Sequence, residues 1–230
     1  MLCVKDLSVS YADGKPAVNH VSFQIAPEEN VALIGANGAG KTTLLLALVG
    51  VLTAKTGVIA MDNLALSKKS MPVFRARVGL VFQNPDDQLF MPNVFEDVAF
   101  GPRSFGCNEE LTKERVDTAL EQLKINHLWN RSPLKLSGGE KRLAAIATVL
   151  SMRPDHLLFD EPTAFLDPRA RRNLQNIITQ LPQGKLIATH DLSFASDTCT
   201  RALILQDGEI VADSRIDCLK DDRLLKTAGL

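Results

Sequence analysis

Three observations place this chain in the α/β class, with a mostly parallel sheet, an N-terminal antiparallel β subdomain and an inserted helical subdomain. A short apolar run at 30–34 ends in glycines and leads directly into a helix from Lys41, as a buried parallel strand should. The segment from Asn84 to about Met152 is mostly helical in pattern. After Pro154 strands and helices alternate again. The expected organisation is one domain over 1–230. Its core and β subdomain occupy 1–83 and 153–230, and its helical subdomain occupies 84–152.

The elements follow in order. Strand-like runs with partial alternation at 2–10 and 18–26 flank the turn-rich Ala12-Asp13-Gly14-Lys15-Pro16. The buried strand at 30–34 precedes a helix at 41–49, and short strands are expected at 57–61 and 78–82. Residues 109–123 carry Leu111, Val116, Leu120 and Leu123 at helical spacing, with a charged opposite face. A second helix begins at Ser137 and presents Leu143, Ile146, Val149 and Leu150. Strands at 157–160, 185–189 and 202–206 then alternate with helices at 169–181 and 192–198. Asp207-Gly208 is the turn of a hairpin.

Composition narrows the classes. The chain is 45% hydrophobic and 23% charged, which excludes a disordered protein. Its 26 basic and 27 acidic residues leave a net charge of −1, so no bulk field points to nucleic acid or an anionic membrane. The longest apolar stretches, 44–52 and 143–150, fall short of the ~20 residues a spanning helix needs. The N-terminus has Asp6 and no long apolar core, so it does not read as a signal peptide. Cys3, Cys107, Cys199 and Cys218 lie far apart without CxxC spacing, which favours free thiols in a reducing compartment.

The motif Gly35-Ala36-Asn37-Gly38-Ala39-Gly40-Lys41-Thr42 matches G-x-x-x-x-G-K-[ST] between a strand and a helix. Such glycines let successive N–H groups turn inward around phosphate oxygens, and the helix start adds its positive dipole end. Lys41 supplies a mobile charge for the β- and γ-phosphates, and the Thr42 hydroxyl can ligate Mg²⁺. Thr43 completes the set of candidate nucleotide contacts in this loop. Leu157-Leu158-Phe159-Asp160-Glu161 delivers two acids at the carboxyl end of a strand, where open α/β sheets bind ligands. Asp160 is the candidate for Mg²⁺, directly or through water, and Glu161 for the general base that polarises the attacking water.

Leu136-Ser137-Gly138-Gly139-Glu140 contains a capping box between Ser137 and Glu140. The box leaves unexplained two glycines in a first helical turn, each costing ~1 kcal/mol relative to alanine. Bare amides and a hydroxyl at a helix start make a second anion site. Two chains arranged head-to-tail can bring both sites onto one nucleotide more easily than one chain can.

Over essentially its whole length the sequence resembles the ATP-binding cassette (ABC) ATPases, with GANGAGKT, Gln83, LSGGE, LLFDE, Asp167 and His190 in that family's order. The resemblance implies a P-loop ATPase core and two cassettes that sandwich two ATP molecules with Mg²⁺. Each ATP would be held by the P-loop of one cassette and LSGGE of the other. Gln83 matches the glutamine that contacts Mg²⁺ and the attacking water. His190 matches the switch histidine near the γ-phosphate, Tyr11 falls where the family stacks an aromatic ring on adenine, and Asp167 closes the D-loop. Departures are Phe165 where a small residue is common, His156 opening the strand before Asp160, and Glu140 in place of the commoner glutamine.

VFQNPDDQLF at 81–90 and EDVAFGP at 96–102 look like the energy-coupling-factor transporter ATPases. That likeness implies a subunit at the cytoplasmic face of the cell membrane, peripheral, paired with a second ATPase subunit as a homodimer or heterodimer. Its membrane partners would be a transmembrane coupling subunit and a substrate-binding subunit, with no nucleic acid. LSGGEKRLAAIATVLSMRPDHLLFDEPTAFLDPRARR most resembles the cobalt/nickel branch, and biotin-type vitamin systems have similar ATPases. Leu89, Phe90, Met91, Pro92, Val94 and Phe95 form a candidate apolar groove for a membrane partner's helix, or ordinary packing of the helical lobe. Two rival classes fit less well. A soluble ABC protein acting on DNA or ribosomes predicts a basic surface or tandem cassettes, and a P-loop kinase or GTPase leaves LSGGE unexplained.

Overall fold

The computed structural model describes residues 1–11, 14–227 and 229. Ala12 and Asp13 of the expected turn lie outside the described residues. In chain order the elements are β1 (Leu2–Ser10), β2 (Pro16–Ile25), β3 (Asn30–Ile34), α1 (Lys41–Leu48), β4 (Thr56–Met61), β5 (Leu64–Ala65), α2 (Met71–Arg77) and β6 (Val78–Val81). Then follow α3 (Val94–Ser104), α4 (Glu109–Gln122), α5 (Gly138–Leu150), β7 (His156–Asp160), α6 (Pro168–Gln180), β8 (Gly184–Thr189), α7 (Leu192–Thr198), β9 (Arg201–Gln206), β10 (Glu209–Arg215) and α8 (Asp222–Thr227). Internal contacts divide the chain into two units. One comprises Met1–Leu80, Asp155–Glu161 and Pro182–Leu230; the other comprises Val81–Pro154 and Pro162–Leu181. The expected core takes in everything after 152, whereas these contacts group α6 with the helical segment. Gly139 in α5 and Ala170 in α6 come close enough that a Cβ at Gly139 would stand 3.1 Å from that of Ala170.

The first unit holds two sheets. An antiparallel sheet runs in the order β2-β1-β4-β5. Its partial alternation has a local cause. Asp6 and His20 both take positive φ, at 51° each, and the β1–β2 register shifts around them. Leu2 and Val4 before the shift, and Leu7 and Val9 after it, therefore all point into one core. The Asp6 carboxylate meets His20 Nδ1 at 2.6 Å across the irregularity.

The second sheet runs in the order β10-β9-β3-β8-β7-β6. Its centre is parallel, with β3 between β8 and β9, and β7 beside β8. β10 returns antiparallel through Asp207 and Gly208, whose φ of 48° and 83° suit a primed hairpin turn. The central strands read as continuous apolar runs because both faces are covered; β7 and β8 are buried along their whole length. The unexpected His156 at the start of β7 is buried, its Nε2 3.3 Å from the Ile25 carbonyl.

In the second unit α3, α4 and α5 pack on one another, and each start is capped. Asn93 accepts from the Glu96 amide, and Asn108 from the Leu111 amide. Ser137 and Glu140 form the expected capping box. α4 buries Thr112, Val116, Ala119 and Leu120, so its apolar stripe is the one read from the sequence, with Leu111 at its margin. Among the described residues no helix is long and apolar enough to cross a membrane, and the four cysteines are free thiols.

Candidate ATP-hydrolysis site

Parallel pairing explains why residues far apart in sequence meet. Ile34 pairs with Thr189, and Asp160 with Ala188, so β3, β7 and β8 end at one edge. The loop from Gly35 to Gly40 leaves β3 there. A Cβ at Gly35 would collide with the Leu205 carbonyl, and one at Gly40 with the Ala17 carbonyl. Gly40 also takes φ 106° as the residue before α1, and it caps the helix with no side chain. The first-turn amides of α1 therefore face outward with no acidic residue among them, which suits an anion. Lys41 is buried at the loop's centre, and its Nζ donates to the Gly35 carbonyl at 2.7 Å and to that of Ala36 at 3.2 Å.

The two carboxylates lie beside this loop. Thr42 Oγ1 donates to Asp160 Oδ2 at 2.8 Å. Glu161 is buried, with its Oε1 3.7 Å from Lys41 Nζ and 2.9 Å from His190 Nδ1. Its Oε2 accepts from Thr189 Oγ1 at 3.1 Å and from the His190 amide at 3.3 Å. Tyr11 is half exposed, and its hydroxyl lies 2.6 Å from Thr43 Oγ1, which ties the ring to α1. A hydroxyl and a carboxylate at hydrogen-bond distance are hard oxygen donors that fit Mg²⁺, an ion that takes one or two protein ligands beside phosphate and water.

The other expected residues belong to the second unit. Gln83 has an exposed side chain, but its backbone is held: Arg142 donates from Nη2 to the Gln83 carbonyl at 2.6 Å and from Nη1 to that of Phe82 at 2.7 Å. Gln88 accepts from the Phe82 amide and donates to Ala145 O and Thr148 Oγ1 on α5. Sequence reasoning missed Arg142 and Gln88. No local signal marks them: Arg142 follows Glu140 and Lys141 in the first turns of α5, and only the fold buries it, to 1% exposure. Ser137, Gly138, Gly139 and Glu140 stand at the start of α5, where a cleft of about 580 Å³ runs from Ser137 and Glu140 to Asp167 and Asn173. Glu140 accepts from both the amide and the hydroxyl of Ser137, and those bonds hold its carboxyl below the usual carboxylate range. Asp167 caps α6 by accepting from the Arg169 and Ala170 amides, which likewise lower its carboxyl.

The expected apolar cluster at 89–95 is not a single surface. Leu89 and Val94 are buried in the helical unit, and Phe95 is packed on Trp129 with ring centroids 5.0 Å apart. Phe90 is exposed and pairs edge-to-face with exposed Phe100 at 5.1 Å.

A glycine-rich loop at a helix start, with a hydroxyl in that helix and two buried carboxylates at the end of the nearby strand β7, defines a P-loop nucleoside triphosphatase. A family model described as ABC transporter matches residues 18–164, and the chain belongs to that family, as an ABC ATPase. It is 46% identical to the putative ABC transporter ATP-binding protein GSU1281 of Geobacter sulfurreducens, over 99% of this chain and 92% of that protein. It is 41% identical to the energy-coupling factor transporter ATP-binding protein EcfA of Methanothermobacter thermautotrophicus, over 100% of this chain and 76% of that one. The fold matches CbiO1 of Clostridium perfringens, part of the ABC transporter complex CbiONQ, with a TM-score of 0.86 and 33% identity. That match covers 97% of this chain and 92% of the other.

Proposed function

We propose that this chain is the ATP-hydrolysing subunit of an energy-coupling-factor importer that powers uptake of cobalt or nickel ions through separate membrane subunits. The observation that carries this reading is the likeness to CbiO1 of the CbiONQ complex along nearly the whole chain. Relatives named only for energy coupling leave a vitamin importer of biotin type as the second reading. The subunit works at the cytoplasmic face of the membrane, paired with a second ATPase subunit.

In this reading Lys41 turns from the Gly35 and Ala36 carbonyls to the β- and γ-phosphates, and the amides of the loop and α1 hold the phosphate oxygens. Tyr11 stacks on adenine, and Thr43 steadies its hydroxyl. Thr42 and Asp160 would hold Mg²⁺, with Gln83 a further candidate ligand by resemblance, and the ion would neutralise charge on the phosphates. Glu161 takes the proton of the attacking water, and His190 orients it from Nδ1. The partner ATPase subunit closes the site with the residues equivalent to Ser137, Gly138, Gly139, Glu140 and Asp167. A Cβ at Gly138 would meet nothing within 4 Å, so packing within this chain does not require glycine there. A bare backbone open to a nucleotide does.

Exposed Phe90 and Phe100 are the proposed docking face for the membrane subunit. Phe90→Asp tests this better than a change at Phe95, which is packed against Trp129. Co-purification with the membrane subunits should be lost while nucleotide binding stays intact; if co-purification survives, docking lies elsewhere. Uptake of labelled Co²⁺ and Ni²⁺, compared with biotin, in cells carrying this subunit or its Lys41→Ala form tests the substrate. Transport that depends on Lys41 for biotin alone overturns the metal reading.

A further inference from the structure

We propose that Thr189 is a positioning residue for hydrolysis, whose buried hydroxyl fixes Glu161 Oε2 so that Oε1 alone receives the proton of the attacking water. The inference rests on the reading of Glu161 as the base. Thr189 is wholly buried at the last position of β8, and its hydroxyl has two partners. It accepts from the Asp191 amide at 3.0 Å, which directs its own proton to Glu161 Oε2 at 3.1 Å. The His190 amide reaches the same oxygen at 3.3 Å, and the Glu161 amide donates to the Ala188 carbonyl at 2.8 Å. The end of β8 therefore holds Glu161 by its backbone and by one carboxylate oxygen.

The other oxygen is held differently. Oε1 faces two side chains, His190 Nδ1 at 2.9 Å and Lys41 Nζ at 3.7 Å. The His190 side chain is 60% exposed, and the Lys41 ammonium is the group the phosphates draw away. When Lys41 turns to the phosphates, Oε1 gains room for water, while Oε2 stays bonded to Thr189 and to the backbone. The water oxygen then bonds to the γ-phosphorus and gives its proton to Oε1. The bond from that phosphorus to the bridging oxygen breaks, and its electron pair leaves with ADP. A carboxylate free to rotate would present either oxygen and spend part of its time misaligned, which costs rate and not affinity.

The test compares Thr189→Val, which keeps shape and removes the hydroxyl, with Thr189→Ser, which keeps the hydroxyl, in the wild-type and Glu161→Gln backgrounds. Thr189→Val should lower kcat about tenfold or more, the scale of one hydrogen bond to a charged group. KM for ATP and the affinity for a fluorescent ATP analogue should stay within about twofold, and Thr189→Ser should restore most of kcat. In the Glu161→Gln background Thr189→Val should add no further loss. Thermal unfolding checks the fold, and Thr189→Ala takes the place of valine if valine does not fold. Turnover within twofold of wild type, a loss that serine does not rescue, or an equal loss in both backgrounds would overturn the role of Thr189. Wild-type turnover in Glu161→Gln alone would instead remove the base reading beneath it.

Discussion

Glu161 takes φ 42°, a left-handed conformation that an L residue adopts only when its surroundings over-determine it. Here they do, because its amide, both its carboxylate oxygens and its neighbour Asp160 are each engaged by β8 or the phosphate loop. Glu161→Gln keeps the shape and loses the base, so ATP turnover should fall at least about a hundredfold with nucleotide binding retained. Single-turnover and equilibrium-binding measurements separate the two. His156 carries a different expectation. Burial, and secondarily the N-terminal ammonium, push its imidazole below the ordinary histidine range, while Asp155 and Asp62 act in the opposite sense. The unfolded chain then takes up a proton near pH 6.5 that the folded chain does not yet accept. Stability should therefore fall as pH drops through that value, down to the folded titration point. Urea midpoints at pH 7.5 and 5.5 should differ less in His156→Leu than in wild type. Residues whose type is set by chemistry, such as Lys41, Asp160 and Glu161, are legible in a single sequence. Thr189, Arg142 and Gln88 are not, because their partners are distant and nothing local marks a threonine or arginine as bonded.

Elements were legible where burial imposes a pattern. β3, β7 and β8 lie inside a parallel sheet, and their short apolar runs lead into Gly35, into Asp160 and Glu161, and into Thr189 and His190. β1 and β2 were harder, because the shift at Asp6 and His20 changes which parity faces the core. α2 gave no signal at all: it is seven residues long and buries only Phe74, too little for a helical period. The Ser137–Glu140 box is legible in the sequence, whereas the Asn93 and Asn108 caps are visible only once their helix starts are known. Asn93→Ala and Asn108→Ala should each destabilise the helical unit by about 1 kcal/mol, read as a shift in urea midpoint with unchanged slope. Arg142→Met removes the donors to the Phe82 and Gln83 carbonyls. Amide exchange should then quicken around 82–84 more than in α4, because the segment carrying Gln83 loses its tie to α5.

At the scale of the molecule the chain carries two helix starts suited to anions: α1 behind the phosphate loop in one unit and α5 behind Ser137 in the other. The first has Lys41, Thr42 and two carboxylates around it, the groups proposed to hold the phosphates and Mg²⁺. The second has Ser137 and two glycines, with the Glu140 carboxylate turned back onto the Ser137 amide and hydroxyl, and is proposed to bind phosphate while the base comes from the first. Phe165 near it, 93% exposed, takes φ 62°, a conformation that costs an aromatic residue about 1 kcal/mol and brings little packing in return among the described residues. Both features make sense if another cassette lies against this face, with its nucleotide on Ser137 and its surface on Phe165. ATP should therefore drive association, and slow hydrolysis should trap it. Glu161→Gln protein should move from monomer to dimer mass on adding Mg²⁺ and ATP in light scattering, while ADP leaves it monomeric. Phe165→Asp in the same background should shift that transition to at least about tenfold higher protein concentration, since an aspartate cannot enter an apolar contact. If Phe165→Asp dimerises as readily as its parent, the exposed ring serves something other than a second cassette. If ATP leaves Glu161→Gln monomeric at every concentration, the start of α5 is not the other half of the site.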